Sequence, residues 1–306
     1  MGKINRRGFL VGTVGAAAAL TLAGCGEEPP VIGLARADAV PPRVFTVAPP
    51  VRIRYGATSD NFGDLYLPTG EAGNLPVVVM IHGGGWAQSH SLGYTGVLAR
   101  SLVPHGIAVW NIEYRRVGGL GGWPVTLADA ADAVEALPGL VQQYANGRLD
   151  LRRVHVAGHS AGGQLAAWLV SRPKMGAGAP GGPALQPLHS ATVMAGVFDM
   201  RMAAVQGRDH FVQRLLGGTP LQVPDRYHLS SPIDFLPIGL PVTAIHGDKD
   251  TTVSPDQSRL YVSAANYMGD PAWLKMLPGV GHMDFGDPRT AAWASAKKSI
   301  LGYVGV

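Results

Sequence analysis

The chain alternates between short apolar runs and longer stretches in which apolar residues recur every three or four positions. The short apolar runs predict β-strands, and the recurrence every three or four positions predicts amphipathic helices. Two opening strands, which we expect to be antiparallel, span residues 51–55 and 61–67. Six further strands are predicted at residues 77–81, 107–111, 153–157, 191–197, 242–246 and 273–276.

The helical spacing falls between these strands. It predicts helices at residues 93–102, 126–143, 161–171, 209–216, 254–267 and 289–303. Because strands that alternate with helices are typical of α/β proteins, we expect a mostly parallel eight-stranded sheet with helices on both faces. Residues 51–306 are enough for one large domain of this kind. The stretch 200–241 is long enough for a small cap at most.

The first 25 residues predict an export signal rather than a part of the fold. Lys3, Arg6 and Arg7 precede an apolar stretch of small residues at 9–22, which is too short for a good membrane span. The paired arginines resemble a twin-arginine signal. Residues 22–25 resemble a bacterial lipobox, in which Cys25 would be lipidated. The alternative is an ordinary export signal with an incidental cysteine.

Residues 26–50 are rich in Pro and Ala, a composition typical of a tether. We therefore expect an exported, extracytoplasmic bacterial protein that is held at a membrane through Cys25. Three of the 25 Lys and Arg residues lie in the first 24 positions, so the rest carries 22 against 21 Asp and Glu. This near-neutral balance argues against a nucleic-acid partner. The sequence gives no oligomeric state.

Ser160 lies between Gly158 and Gly162, at the junction of a predicted strand and a predicted helix. In this context Gly-x-Ser-x-Gly forms a nucleophile elbow, a sharp turn that exposes the serine at the edge of the sheet. The two glycines are required because neighbouring segments approach too closely for side chains. The helix that follows directs its positive dipole end at the serine, which favours negative charge there.

A glycine-rich loop at residues 82–86 directly follows the strand at 77–81. The backbone N–H groups of Gly84 and Gly85, together with that of Ala161, would stabilise a developing oxyanion. Near the C-terminus, Asp250 and His282 each follow a predicted strand. Serine, acid, histidine is the chain order of the α/β-hydrolases.

The chain thus resembles the α/β-hydrolases of the esterase/lipase group that carry His-Gly-Gly-Gly-Trp, and is similar to bacterial carboxylesterases and kynurenine formamidases. The resemblance covers roughly residues 51–306 and rests on segments 82–86, 113–115, 158–162 and 246–250, with His282. It implies a serine hydrolase that cleaves small-molecule carboxylic esters through an acyl-enzyme, without a metal or an organic cofactor.

In that reading Ser160 is the nucleophile, His282 the base and Asp250 the acid that orients it. Asp248 competes with Asp250, but the family places the acid three residues after the glycine, and Asp248 is expected to cap the turn. An aryl formamidase that hydrolyses N-formyl amides is the nearest alternative. A catalytically silent, surface-tethered binding protein is the alternative from another class.

Trp86, His159 and Phe211 are candidates for the substrate pocket. Trp86 could equally pack under the loop, and the elbow position of His159 also fits a side chain that points away from the chemistry. The pair at 114–115 is expected to support the oxyanion loop from below. Glu113 and Arg116 flank that pair and depart from the family pattern, so the resemblance indicates the reaction type rather than the substrate.

Overall fold

A computed structural model of the chain describes residues 44–70, 72–176, 178–207 and 210–306. The predicted export signal and the lipidation site at Cys25 lie outside the described residues, as does the predicted tether up to residue 43. Within the described part of the chain, no helix is both long enough and apolar enough to cross a bilayer.

A single sheet organises the described residues. Its eight strands are β1 Val51–Arg54, β2 Phe62–Tyr66, β3 Leu75–Ile81, β4 Ala108–Ile112, β5 Leu149–His159, β6 Ser190–Met194, β7 Val242–Gly247 and β8 Ala272–Leu277. The strand order is β1-β2-β4-β3-β5-β6-β7-β8. β2 pairs antiparallel with β1 and β4, and every other pair is parallel. The predicted mostly parallel eight-stranded sheet is confirmed.

The α-helices of the described residues connect these strands. They are α1 Gly93–Leu102, α2 Val125–Glu135, α3 Gln142–Tyr144, α4 Ala161–Ser171, α5 Met200–Gln206, α6 Phe211–Leu216, α7 Pro224–Ser230, α8 Asp256–Tyr267 and α9 Ala291–Val304. α1 and α4 have the predicted bounds. The stretch 200–241 holds the three short helices α5, α6 and α7, of which the sequence predicted only α6.

The hydrophobic core lies on both faces of the sheet, so a central strand such as β3 is buried along its whole length. β3 shows this directly, because successive side chains of a strand point to opposite faces. Val77 and Val79 pack in the cluster that contains α2 and α4. Val78 and Met80 pack in the cluster that contains α1 and α9. Each such burial stabilises the fold by about 1.5–3 kcal/mol.

The structure differs from the predicted pattern in two places. The helix predicted at 126–143 ends at Glu135 and continues as a π-turn, Leu137–Val141, before α3. Pro138 lies in this turn and cannot supply a backbone N–H to a regular helix. The strand predicted at 191–197 ends at Met194, because Ala195 has φ +46° and turns the chain out of the sheet.

The fully buried His155 of β5 generates a prediction about stability and pH. Its ring nitrogens contact Ser190 Oγ at 2.7 Å and Thr192 Oγ1 at 3.0 Å, and burial lowers the pKa of His155 to about 3. His155 therefore binds a proton below about pH 6.5 in the unfolded chain but stays neutral in the folded chain down to about pH 3. Stability should fall by about 1.4 kcal/mol per pH unit for this residue as the pH drops from 6 to 4.

The variant His155→Gln should flatten that dependence by the same amount, as measured by urea unfolding at pH 6, 5 and 4. His189→Gln replaces an exposed histidine and is the matched control, which should keep the wild-type slope. Identical slopes for the two variants would contradict the account of His155.

Candidate active site

The turn from β5 to α4 places Ser160 at the carboxyl edge of the sheet. Ser160 has φ +56° and ψ −120°, a region that non-glycine residues rarely adopt. Its backbone N–H donates to the carbonyl of Met194 at 2.9 Å, which ties the turn to β6. The predicted elbow is therefore present as a strained turn that adjacent structure holds in place.

Two glycines make this turn possible. A Cβ at Gly158 would lie 2.0 Å from the carbonyl oxygen of Gly162. A Cβ at Gly162 would lie 2.2 Å from the carbonyl oxygen of Ile81, at the end of β3. Any larger residue at either position would collide with backbone atoms, so the elbow and the oxyanion loop can approach each other only through glycine.

His282 connects Ser160 to Asp250. His282 Nε2 lies 2.9 Å from Ser160 Oγ, and His282 Nδ1 lies 2.7 Å from Asp250 Oδ2. The structure thus brings together three residues that the sequence separates by up to 122 positions. With the Nδ1 proton donated to Asp250, Nε2 is free to accept the serine hydroxyl proton.

Asp250 is held by four hydrogen-bond partners in a buried position. Oδ1 accepts from the backbone N–H groups of Thr252 and Val253 at 2.8 and 2.9 Å, and His246 Nε2 lies 3.2 Å from Oδ2. Burial alone would raise the pKa of Asp250, but the hydrogen bonds from His246 and His282 hold it well below its usual range. Asp250 is consequently a carboxylate at neutral pH.

Asp248 lies in a different environment. Its Oδ1 accepts from the backbone N–H of Gly279 at 2.7 Å, so its carboxylate binds the turn after β8 rather than His282. The loops that carry Asp250 and His282 run side by side here. A Cβ at Gly247 would lie 2.1 Å from the carbonyl oxygen of Val280, so this close approach also requires glycine.

The oxyanion loop passes directly beside Ser160. A Cβ at Gly83 would lie 2.9 Å from Ser160 Cβ, and Gly84 and Gly85 have φ values of +106° and +61° that favour glycine. Ala161 is the first residue of α4, so its N–H has no acceptor within the helix. The loop that carries Gly84 and Gly85 therefore reaches the serine through Gly83, and Ala161 follows the serine directly.

The three pocket candidates have different positions. Phe211 contacts the oxyanion loop, since a Cβ at Gly85 would lie 2.6 Å from its ring. Trp86 is 3% exposed and donates Nε1–H to Gln164, so it packs under the loop. His159 is buried and bonded to the carbonyl oxygen of His282 at 2.9 Å. His159 therefore does not point away from the chemistry, because it contacts the residue that carries the base, and its place in the substrate pocket stays a prediction.

Glu113 supports the oxyanion loop from below, which the sequence did not suggest. It contacts His82 Nε2 at 2.7 Å and Arg116 at 2.9 Å, in a buried position. Tyr114 donates to the carbonyl oxygen of His82 at 2.9 Å and stacks on its ring, as expected for this support. Arg115 instead binds Asp129 of α2. Glu113 and Arg116 therefore belong to the scaffold of this loop.

Among residues 44–70, 72–176, 178–207 and 210–306, no group of three or more His, Cys, Asp or Glu side chains is arranged to hold a metal ion.

The sheet, the elbow and the glycine loop define an α/β-hydrolase. The chain belongs to the BD-FAE family, whose model matches residues 63–264. The resemblance to this class that the motifs predicted is confirmed.

The chain is similar to a probable isoprenylcysteine alpha-carbonyl methylesterase of Oryza sativa subsp. japonica, with 25% identity over 250 residues that cover 75% of this chain and 56% of the relative. It is 30% identical to the kynurenine formamidase of Salmo salar over 121 residues, covering 40% of this chain and 38% of the relative. The chain thus spans about half the length of the curated relatives it matches.

A truncated carbohydrate esterase from gut microbiota has a similar structure. It superposes with a TM-score of 0.70 at 21% identity, and the match covers 87% of this chain and 99% of that one. A likeness at this identity shows the shared fold.

The close approach at Gly162 can be tested through stability. Gly162→Ala should lower the free energy of unfolding by about 2 kcal/mol or more, because the new Cβ meets backbone atoms that cannot move aside. Gly302→Ala is the matched control, since nothing lies within 4 Å of its Cβ and it sits inside α9. That variant should be neutral or up to about 1 kcal/mol more stable. Equal effects in urea titrations would refute the constraint.

Proposed function

We propose that this protein is a serine hydrolase that cleaves carboxylic esters through an acyl-enzyme intermediate. The observation that carries the proposal is the continuous hydrogen-bond chain from Ser160 through His282 to the buried Asp250. A serine hydroxyl is a poor nucleophile until a base takes its proton. This chain supplies the base and the carboxylate that orients it.

In the first half of the reaction, His282 Nε2 accepts the hydroxyl proton while Ser160 Oγ attacks the ester carbonyl carbon. Asp250 keeps the ring oriented and stabilises the imidazolium. The imidazolium then donates its proton to the departing alcohol, which leaves an acyl group on Ser160. In the second half, His282 takes a proton from a water molecule as the water oxygen attacks the acyl carbon. The imidazolium then returns this proton to Ser160 Oγ as the bond between Oγ and the acyl carbon breaks, which releases the acid and restores the free enzyme.

The tetrahedral intermediates carry a negative oxygen that needs hydrogen-bond donors. We assign this role to the N–H groups of Gly84, Gly85 and Ala161. The left-handed conformations of the two glycines and the free helix terminus at Ala161 support the assignment. Donors that are fixed before the reaction stabilise the developing charge without further reorganisation.

We propose a small carboxylic ester as the substrate, on the basis of the family to which the chain belongs. The relative from Oryza sativa is named a methylesterase, which supports an ester. An N-formyl amide is the second candidate, favoured by the similarity to a kynurenine formamidase. Parallel assays with p-nitrophenyl esters of rising chain length and N-formylkynurenine separate the two. We expect the larger kcat/KM for an ester.

The role of Ser160 is tested by substitution. Ser160→Ala should lower kcat for p-nitrophenyl acetate by on the order of 10⁴-fold, because the nucleophile is removed while the scaffold is retained. Ser295→Ala removes a serine hydroxyl of α9 and is the control that should keep wild-type turnover. Undiminished hydrolysis by Ser160→Ala would exclude the proposed mechanism.

The choice of carboxylate gives a second kinetic test. Asp250→Asn should lower kcat by roughly 10³- to 10⁴-fold, because an amide that donates to Nδ1 favours the wrong tautomer of His282. Asp248→Asn changes a carboxylate two positions away that binds Gly279 and should retain most of the activity. The reverse ranking would mean that Asp248 is the functional acid.

We also propose that the catalytic domain at residues 51–306 follows an export signal at 1–25 and a tether at 26–50, with Cys25 lipidated. The sequence motif of residues 22–25 is the support for this proposal. Cell fractionation of full-length protein and Cys25→Ser tests it. Wild type should partition with membranes into detergent, and the variant should be soluble or remain uncleaved. Identical soluble behaviour of both proteins would refute lipidation.

A further inference from the structure

Tyr94 and His159 form a hydrogen-bonded connection between the two loops that flank Ser160. Tyr94 lies in the first turn of α1, and its Oη is 2.5 Å from the backbone nitrogen of Gly83 in the oxyanion loop. The same Oη is 3.1 Å from His159 Nδ1. His159 Nε2 lies 2.9 Å from the carbonyl oxygen of His282.

The direction of every hydrogen bond in this connection is fixed by its two ends. The N–H of Gly83 can only donate, so Tyr94 Oη accepts from it and donates its own proton to His159 Nδ1. The carbonyl oxygen of His282 can only accept, so His159 Nε2 carries the ring proton. Four groups thus form one chain in which each donor has one acceptor, provided that His159 is neutral.

The environment of His159 keeps it neutral at physiological pH. Burial, with the adjacent His282 ring acting in the same direction, lowers the pKa of His159 to about 3. A protonated ring would turn Nδ1 into a donor and would break the sequence of donors and acceptors at Tyr94.

Packing reinforces the same connection. The His159 ring lies 4.9 Å from the His282 ring and 5.8 Å from the Phe285 ring, measured between centroids. The Tyr94 ring lies beside Gly286, where an added Cβ would be 3.5 Å from it. Both side chains therefore contact the segment His282–Gly286 as well as each other.

We propose that Tyr94 and His159 are positioning residues that hold the oxyanion loop and the histidine loop in register across the nucleophile elbow. This inference rests on the proposed serine-hydrolase function. Neither residue exchanges a proton with the substrate. Their role is to keep the Gly84 and Gly85 donors and the His282 ring at fixed distances from Ser160, because displacements of about 1 Å cost large factors in rate.

Four variants test the proposal with p-nitrophenyl acetate. Tyr94→Phe and His159→Leu should each lower kcat by about tenfold or more with KM changed by less than about twofold. His159→Gln keeps a donor and an acceptor and should recover much of the loss. Tyr303→Phe is the matched control, because it removes one hydroxyl hydrogen bond, 2.7 Å long to Thr243, at a remote site.

The double variant Tyr94→Phe/His159→Leu distinguishes positioning from independent structural damage. Once either link is removed the connection is broken, so the double variant should be about as slow as the slower single variant. The proposal would be overturned if the double variant lost kcat by the product of the two single losses, or if Tyr94→Phe were as active as Tyr303→Phe. If wild type and Tyr303→Phe also fail to hydrolyse any ester, the proposed function falls first and the inference falls with it.

The tautomer of His159 gives a readout that does not depend on turnover. NMR spectra that correlate ring nitrogens and protons through two-bond ¹⁵N–¹H couplings, recorded on protein with ¹⁵N-labelled histidine, distinguish the two neutral tautomers. His159 should carry its proton on Nε2 in wild type and in Tyr303→Phe. A proton on Nδ1 would contradict the proposed direction of the chain.

Discussion

Close backbone contact at the carboxyl edge of the sheet is the constraint on which the rest of this structure depends. An added Cβ would lie 2.0 Å from a carbonyl oxygen of the same turn at Gly158, and 2.2 and 2.1 Å from one of a neighbouring segment at Gly162 and Gly247. These contacts bring the elbow, the oxyanion loop and the two loops of the acid and the histidine within hydrogen-bond distance of one another. A side chain at any of these three positions would collide with backbone atoms and force the chain apart there.

Electrostatics then determines the protonation state of each group in the site. Asp250 is kept ionised by hydrogen bonds that outweigh the effect of its burial, whereas His159 is kept neutral because its burial is opposed by no close carboxylate hydrogen bond. The two buried groups beside His282 thus have different charge states, because Asp250 is ionised and His159 is neutral. One receives the Nδ1 proton of the His282 ring, and the other binds the backbone of the same residue.

The sequence predicted the sheet and the three main site residues because both depend on local patterns. Short apolar runs locate all eight strands, and glycines around Ser160 identify the turn. Tyr94 was missed because nothing near it in the sequence relates it to Gly83 or His159, and only tertiary packing joins them. The contact of Glu113 with His82 was not predicted for the same reason. Pro138 interrupts the helix predicted at 126–143, but the apolar spacing continues on both sides of it. The sequence pattern therefore predicted one helix where the structure has a break.

The central claim of this account is that Ser160 is the nucleophile of an ester hydrolase. Treatment with a fluorophosphonate, followed by intact mass and peptide mapping, tests it most directly. The account predicts a single adduct on the peptide that contains Ser160, formed in step with the loss of ester hydrolysis. An adduct on a different serine, or complete loss of hydrolysis with Ser160 unmodified, would contradict it.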